Sequence, residues 1–95
     1  MPRLLIITYD ICNPRRLRRV FKAMKGFGQH LQLSVFLCQL TDMERLDMID
    51  VLSRTILTTE DQILIVDLGP TTGRAAKIQA LGRPMLRDNR GPHIA

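Results

Sequence analysis

The sequence predicts an α+β sandwich, with two helices packed on one face of a mostly antiparallel sheet. Three observations carry that expectation. Two segments show helical periodicity behind N-terminal caps, strand-length apolar runs lie around them, and the order along the chain is strand, helix, extended segment, helix, strand. With 95 residues, 45% of them apolar, the chain supports one hydrophobic core and not two. A domain of this size often gains burial by pairing with a copy of itself, so a homodimer is expected.

The first strand is the run from Arg3 to Tyr9. It is apolar on both alternating faces and rich in β-branched residues, which suits a central strand covered on both sides, and it ends at Asp10. Asn13 followed by Pro14 reads as an N-cap and a proline at the first helical position, where its missing N–H and fixed φ do no harm. In the helix that starts there, Leu17, Val20, Phe21 and Met24 form the expected buried stripe, while Arg15, Arg18, Arg19, Lys22 and Lys25 share another face. Gly26 and Gly28 place the helix end near Phe27.

Gln29 to Leu40 reads as extended, either one long strand or two strands folded back at Leu33-Ser34; periodicity alone does not decide. Thr41 and Glu44 form a capping box for the second helix, whose inward face is expected to be Met43, Leu46, Ile49, Leu52 and Ile56. Its charges are of mixed sign, the mark of an ordinary packing helix. Gln62 to Leu68 is another apolar strand, Gly69 to Gly73 a loop, and Lys77 to Leu81 a short final strand. The division expected is a domain over residues 1–82 and a basic, Pro- and Gly-rich tail over 83–95. If the middle segment is a hairpin, the order is βαββαβ, the ferredoxin-like arrangement.

The net charge of +5 favours polyanionic partners, nucleic acid first. Cys12 and Cys38 are far apart and lack zinc-site spacing, so reduced thiols are expected. The apolar run at residues 1–9 is too short to span a membrane and has no cleavage signal, which points to the cytoplasm and no membrane partner. With three Phe and one Tyr and no aromatic ladder on a strand, recognition of the backbone fits better than stacking of bases.

Asp10 is the sharpest single feature. A carboxylate directly after a buried strand is held at the sheet edge, where a hard cation such as Mg²⁺ binds oxygen ligands; a turn or capping aspartate is the plainer alternative. One aspartate is a poor metal site, but a two-fold axis near Asp10 would add a symmetry-related carboxylate. Arg15, Arg16, Arg18 and Arg19 follow in the first turns of the next helix and are the candidate nucleic-acid-binding residues, since guanidinium groups match phosphate oxygens in pairs. A solvated helix face is the alternative for each of them. Tyr9 reads as core with its hydroxyl at the surface, and His30 as a surface histidine. Gly69 to Gly73 followed by Arg74 does not match a phosphate-binding loop.

Tyr9-Asp10-Ile11, the run Asn13 to Val20, Gly26-Phe27-Gly28 and Gln32 to Phe36 together resemble the CRISPR-associated Cas two family, the small partner of the Cas one integrase. The resemblance runs from Arg3 to about Leu40. It implies a ferredoxin-like homodimer with the middle segment folded as a hairpin and an additional C-terminal strand on the partner's sheet. It also implies Asp10 as the catalytic, divalent-metal-binding residue, with Mg²⁺ or Mn²⁺ as cofactor and phosphodiester hydrolysis of RNA or DNA as the reaction. Arg16, Arg18 and Phe36 match positions that the family associates with nuclease function, with Tyr9 and Phe36 as supporting residues. This chain departs from the family at His30, where an Arg is frequent, and at Leu37, where an acid is common. The same family implies CRISPR adaptation, with the dimer acting beside the integrase in spacer acquisition. A non-catalytic DNA-bridging adaptor and a ferredoxin-like ribonuclease toxin are the alternative readings.

Overall fold

The computed structural model of the chain describes residues 1–71 and 77–84. Its elements are β1 (Arg3–Asp10), α1 (Pro14–Lys25), β2 (Gly28–Gln32), β3 (Val35–Leu40), α2 (Asp42–Thr55) and β4 (Gln62–Pro70). The strands form one antiparallel sheet in the order β2-β3-β1-β4, so the apolar first strand lies in the interior of the sheet. The middle segment is a hairpin, folded back at Leu33-Ser34.

Strand alternation divides β1 between two faces. Leu5, Ile7 and Tyr9 point toward the helices and pack with Phe36, Cys38, Val20, Met24, Met48 and Leu52. Leu4, with Ile6 beside it, lies on the opposite face with Leu31, Leu37 and Ile78. Leu64 and Val66 of β4 stand opposite Thr8 and Ile6 and so share that second face, where they are 51% and 46% exposed. At Gly28 the chain passes so close to β3 that a Cβ would collide with the Leu37 carbonyl and the Cys38 side chain. Burial pushes the Cys38 thiol up to about 12, which leaves it an inert packing group.

Three local expectations are corrected. In α1 the buried positions are Val20 and Met24, whereas Leu17 is 40% exposed, because Arg16 takes the inward position of the first turn. In α2 the helix is turned relative to the expected face. Met43 and Leu46 are exposed, Met48 and Leu52 are buried, and Arg45 lies on the inner side, where it pairs with Asp67. Lys77 to Leu81 form no strand: the segment pairs with neither free edge of the sheet, β2 or β4, and Ile78 rests on the second sheet face instead. Arg83 and Pro84 are exposed, and the rest of the expected tail, with the Thr72-Gly73 end of the loop, lies outside the described residues.

Candidate active site

The site is built where β1 ends. Asp10 closes that strand, pairs with Gln62 of β4 and is exposed, and its carboxylate meets no ion-pair or hydrogen-bond partner among the described residues. The chain then turns through Ile11 to Asn13, whose side-chain oxygen accepts the Arg15 and Arg16 amides at 2.9 and 3.1 Å. This cap satisfies two otherwise orphaned donors and fixes the start of α1 four residues beyond Asp10.

From that start, helical spacing places Arg15, Arg18, Arg19, Lys22 and Lys25 on the outer surface, and all five are exposed. Arg15, Arg18 and Arg19 have no carboxylate partner among the described residues, so their guanidinium groups are available to phosphate. Lys25 lies 5.4 Å from the centre of the Phe21 ring.

Arg16 is different from its neighbours. Its Nε donates to Asp61 at 2.7 Å and its Nη2 to Glu60 at 2.8 Å, with only 19% of its side chain exposed. The Asp61 side chain has no exposure at all, and it also accepts the Cys12 amide at 3.1 Å and the Leu57 amide at 2.9 Å. The Arg16 hydrogen bond, opposed by burial and aided by the two amides, draws the Asp61 carboxyl down to about 2. Sequence reading grouped Arg16 with the phosphate-facing arginines and missed Asp61 and Glu60 altogether. The one signal for Asp61 is its place directly before an apolar strand, the mirror of Asp10 directly after one.

Tyr9 and Phe36 lie under the site, not on its surface. Tyr9 is 6% exposed, and its hydroxyl donates to the Leu33 carbonyl at 3.2 Å; burial pushes its pKa up and keeps the phenol a donor. Phe36 is fully buried, stacked with His30 at 4.7 Å and facing Phe21 at 5.9 Å. His30 Nε2 approaches the same Leu33 carbonyl at 3.3 Å, so the β2–β3 turn is held beside the end of β1. Tyr9 N–H donates to the Ser34 carbonyl at 3.1 Å and closes that arrangement. His93 lies outside the described residues.

The geometry thus joins one free carboxylate, a basic helix beginning four residues later, and a buried ion pair behind the connecting loop. The family model for CRISPR associated protein Cas2 matches residues 2–74, which include every one of these groups. The chain belongs to the Cas2 family. A relative from Geobacter sulfurreducens, named CRISPR-associated endoribonuclease Cas2, is 43% identical over 90 residues, covering 92% of this chain and 95% of that one. A second, from Rhodospirillum rubrum and named CRISPR-associated endoribonuclease Cas2 1, is 42% identical over 82% of this chain and 76% of its own. The crystal structure of Cas2 from Streptococcus pyogenes superposes with a TM-score of 0.70 at 32% identity, over 83% of this chain and 99% of that one. A hypothetical protein from Thermus thermophilus does so with a TM-score of 0.77 at 26% identity, over 93% and 100%.

Cas2 family membership directs attention to what the Asp10 end can hold. Among the described residues there is no group of three His, Cys, Asp or Glu side chains arranged to bind a metal ion, and Asp10 is the unpaired carboxylate at this end of the sheet. An exposed carboxylate suits a hard cation that keeps several of its waters, and Mg²⁺ is commonly held by one or two carboxylates, so a pair of Asp10 side chains fits such an ion. No helix among the described residues is long and apolar enough to cross a membrane.

Proposed function

We propose that this Cas2-family chain is a divalent-metal-dependent endoribonuclease of the cytoplasm that also binds DNA and serves CRISPR adaptation beside the Cas one integrase. The observation that carries this reading is the free carboxylate of Asp10 at the head of the exposed Arg15–Arg18–Arg19 stripe. The names of the Geobacter sulfurreducens and Rhodospirillum rubrum relatives support the endoribonuclease assignment. The working unit is a homodimer. The apolar residues Leu64 and Val66 on the sheet face away from the helices supply surface for a second copy, and Lys77–Leu81 would pair with the partner's sheet.

In this reading Asp10 and its copy hold Mg²⁺ or Mn²⁺. The cation, when bound, supplies Lewis-acid stabilisation of the charge that develops on the phosphoryl oxygens. Arg15, Arg18 and Arg19 hold the nucleic-acid backbone by paired hydrogen bonds to phosphate and set which phosphodiester stands at Asp10. Tyr9 and Phe36 support from below by fixing the end of β1 and the β2–β3 turn.

The test is cleavage of single-stranded RNA by the purified dimer in Mg²⁺ or Mn²⁺, with wild type, Asp10→Ala and the Arg15/Arg18/Arg19 alanine variant compared for both cleavage and binding. Asp10→Ala is expected to abolish cleavage while leaving RNA binding intact, and the arginine variant to lose binding. Cleavage by Asp10→Ala at the wild-type rate would refute the catalytic assignment. A second reading, a DNA-bridging adaptor without catalysis, is favoured by the exposed basic stripe of α1 standing where the described residues hold no group of three metal-ligating side chains. It predicts that Asp10→Ala leaves spacer acquisition intact and only the arginine variant fails.

A further inference from the structure

We infer that Asp61 is a positioning residue for Asp10, and that Arg16 serves this buried arrangement and is not part of the phosphate-binding stripe. The inference rests on the reading of Asp10 as the metal-binding carboxylate. Asp10 stands at the junction of a paired strand and a short loop. On the strand side its backbone is fixed by the register with Gln62. On the loop side, Asp61 Oδ1 accepts the amide of Cys12, two residues beyond Asp10, at 3.1 Å. The Cys12 Sγ also donates to the Glu60 carbonyl at 3.1 Å, so the residue is held twice by the turn that precedes β4.

The Asp61 carboxylate is suited to that task because it is itself immobilised. Oδ2 accepts Arg16 Nε at 2.7 Å and the Leu57 amide at 2.9 Å, while Oδ1 takes Arg16 Nη2 at 3.3 Å as well as Cys12. Four donors from three segments converge on one fully buried side chain: the loop after β1, the first turn of α1, and the end of α2. A buried charge held this way has no alternative partner in the core, so it transmits its position rigidly to whatever it holds. Arg16 completes the cluster by balancing the charge and by bridging to Glu60 at 2.8 Å.

Groups that orient a metal-binding residue without touching the metal typically cost about 10–100-fold in metal affinity or activity when removed. The experiment uses the full-length dimer and follows Mn²⁺ binding by electron paramagnetic resonance without nucleic acid, together with kcat and KM for RNA cleavage. Wild type, Asp61→Asn, Asp10→Ala and Asp67→Asn are compared, the last as a control at the far end of β4. Circular dichroism and the oligomeric state of each are checked. For Asp61→Asn we expect Mn²⁺ affinity and kcat to fall together by about 10–100-fold, with KM unchanged because Arg15, Arg18 and Arg19 stay on a helix still capped by Asn13. Asp67→Asn should match wild type.

Wild-type Mn²⁺ affinity and kcat in a folded Asp61→Asn, with Asp10→Ala inactive, would overturn the inference while leaving the Asp10 reading in place. A rise in KM with kcat unchanged would overturn it too. Full activity and Mn²⁺ binding in Asp10→Ala would remove both together. Should Asp61→Asn fail to fold, Arg16→Met/Asp61→Leu removes both buried charges at similar volume and is judged by the same outcomes.

Discussion

The two helices begin at opposite ends of the sheet and are started in opposite ways. α2 starts at the Arg3 end, since the last residue of β3, Leu40, stands opposite Arg3. Thr41 and Glu44 close its first turn reciprocally, and Asp42 adds a second acid there. Hydrogen bonding to Thr41 lowers the Glu44 carboxyl below its usual range. α1 starts at the Asp10 end with a neutral Asn13 cap, no acid in its first turn, and arginines following at once. A helix N-terminus carries roughly half a positive charge. α2 compensates that charge with its own carboxylates, whereas α1 adds guanidinium groups to it. One helix is closed by acids of its own first turn; at the other, Asp61 and Glu60 are taken up by Arg16, and Arg15, Arg18 and Arg19 keep their positive charge for an external anion at the end where Asp10 stands.

The largest effect that would break this contrast is loss of the outer arginines. Each phosphate contact removed flattens the dependence of log K on log salt by about 0.9 for duplex DNA, so Arg15→Ala/Arg18→Ala/Arg19→Ala should flatten it by roughly 2.7 per protomer if each contacts one phosphate. Filter binding or fluorescence anisotropy across a salt series measures this. Arg16→Ala should change the slope far less, because that guanidinium is already spent on Asp61 and Glu60. An equal slope change from Arg16 would place it back among the phosphate contacts.

Local chemistry made much of this legible in the sequence. The Asn13-Pro14 start, the Thr41–Glu44 box and the strand ending at Asp10 each depend on residues within four positions of one another, and the structure has them as expected. Periodicity leaves the hairpin as one of two readings and the family resemblance implies it; the structure pairs β2 with β3, and Tyr9 and His30 meet the Leu33 carbonyl at its turn, contacts that periodicity does not carry. What stayed hidden is non-local. Asp61 lies 45 residues from Arg16, and their pairing draws an arginine inward that helical spacing assigns to a solvated face. The same pull exposes Leu17, and the Arg45–Asp67 contact accompanies the turned face of α2. A buried ion pair between distant segments thus takes the inner position of the first turn of α1, and burial of Met48 and Leu52 sets the inner face of α2, where apolar counting alone misjudges one position in α1 and the N-terminal half of α2.

The two aspartates of the Asp61–β4 segment extend the contrast to acid. Asp61 is drawn down from 3.8 to about 2, first by Arg16, and is fully buried. Asp67 is lowered as well, first by Arg3, but 30% of its side chain is exposed, so solvent weakens the pair. A carboxyl whose folded value lies below its unfolded one stabilises fully above the unfolded value, and that contribution is lost as pH falls through the folded value. Wild type should therefore lose stability as pH falls from about 4 to about 2, and Asp61→Asn should flatten that fall more than Asp67→Asn does. Urea midpoints at several pH values read this out, and equal flattening by the two variants would mean that burial at the Asp10 end confers no advantage.

The smallest expected effect separates the helix start from the site it serves. Replacing Asn13 by alanine orphans the Arg15 and Arg16 amides and should cost about 1 kcal/mol, and Thr41→Ala about the same. Asn13→Asp keeps the acceptor and adds a negative charge to a helix whose own first turn carries no acid, which should stabilise the fold by about 0.3–1 kcal/mol. The same charge stands between Asp10 and Arg15, where an incoming phosphate would approach, so nucleic-acid binding should weaken as stability rises. Denaturant unfolding and anisotropy on one sample measure the two signs together. If stability rises with binding unchanged, phosphate is held farther along α1, by Arg18 and Arg19; if both fall, the open start of α1 is a requirement of folding and not a provision for an anion.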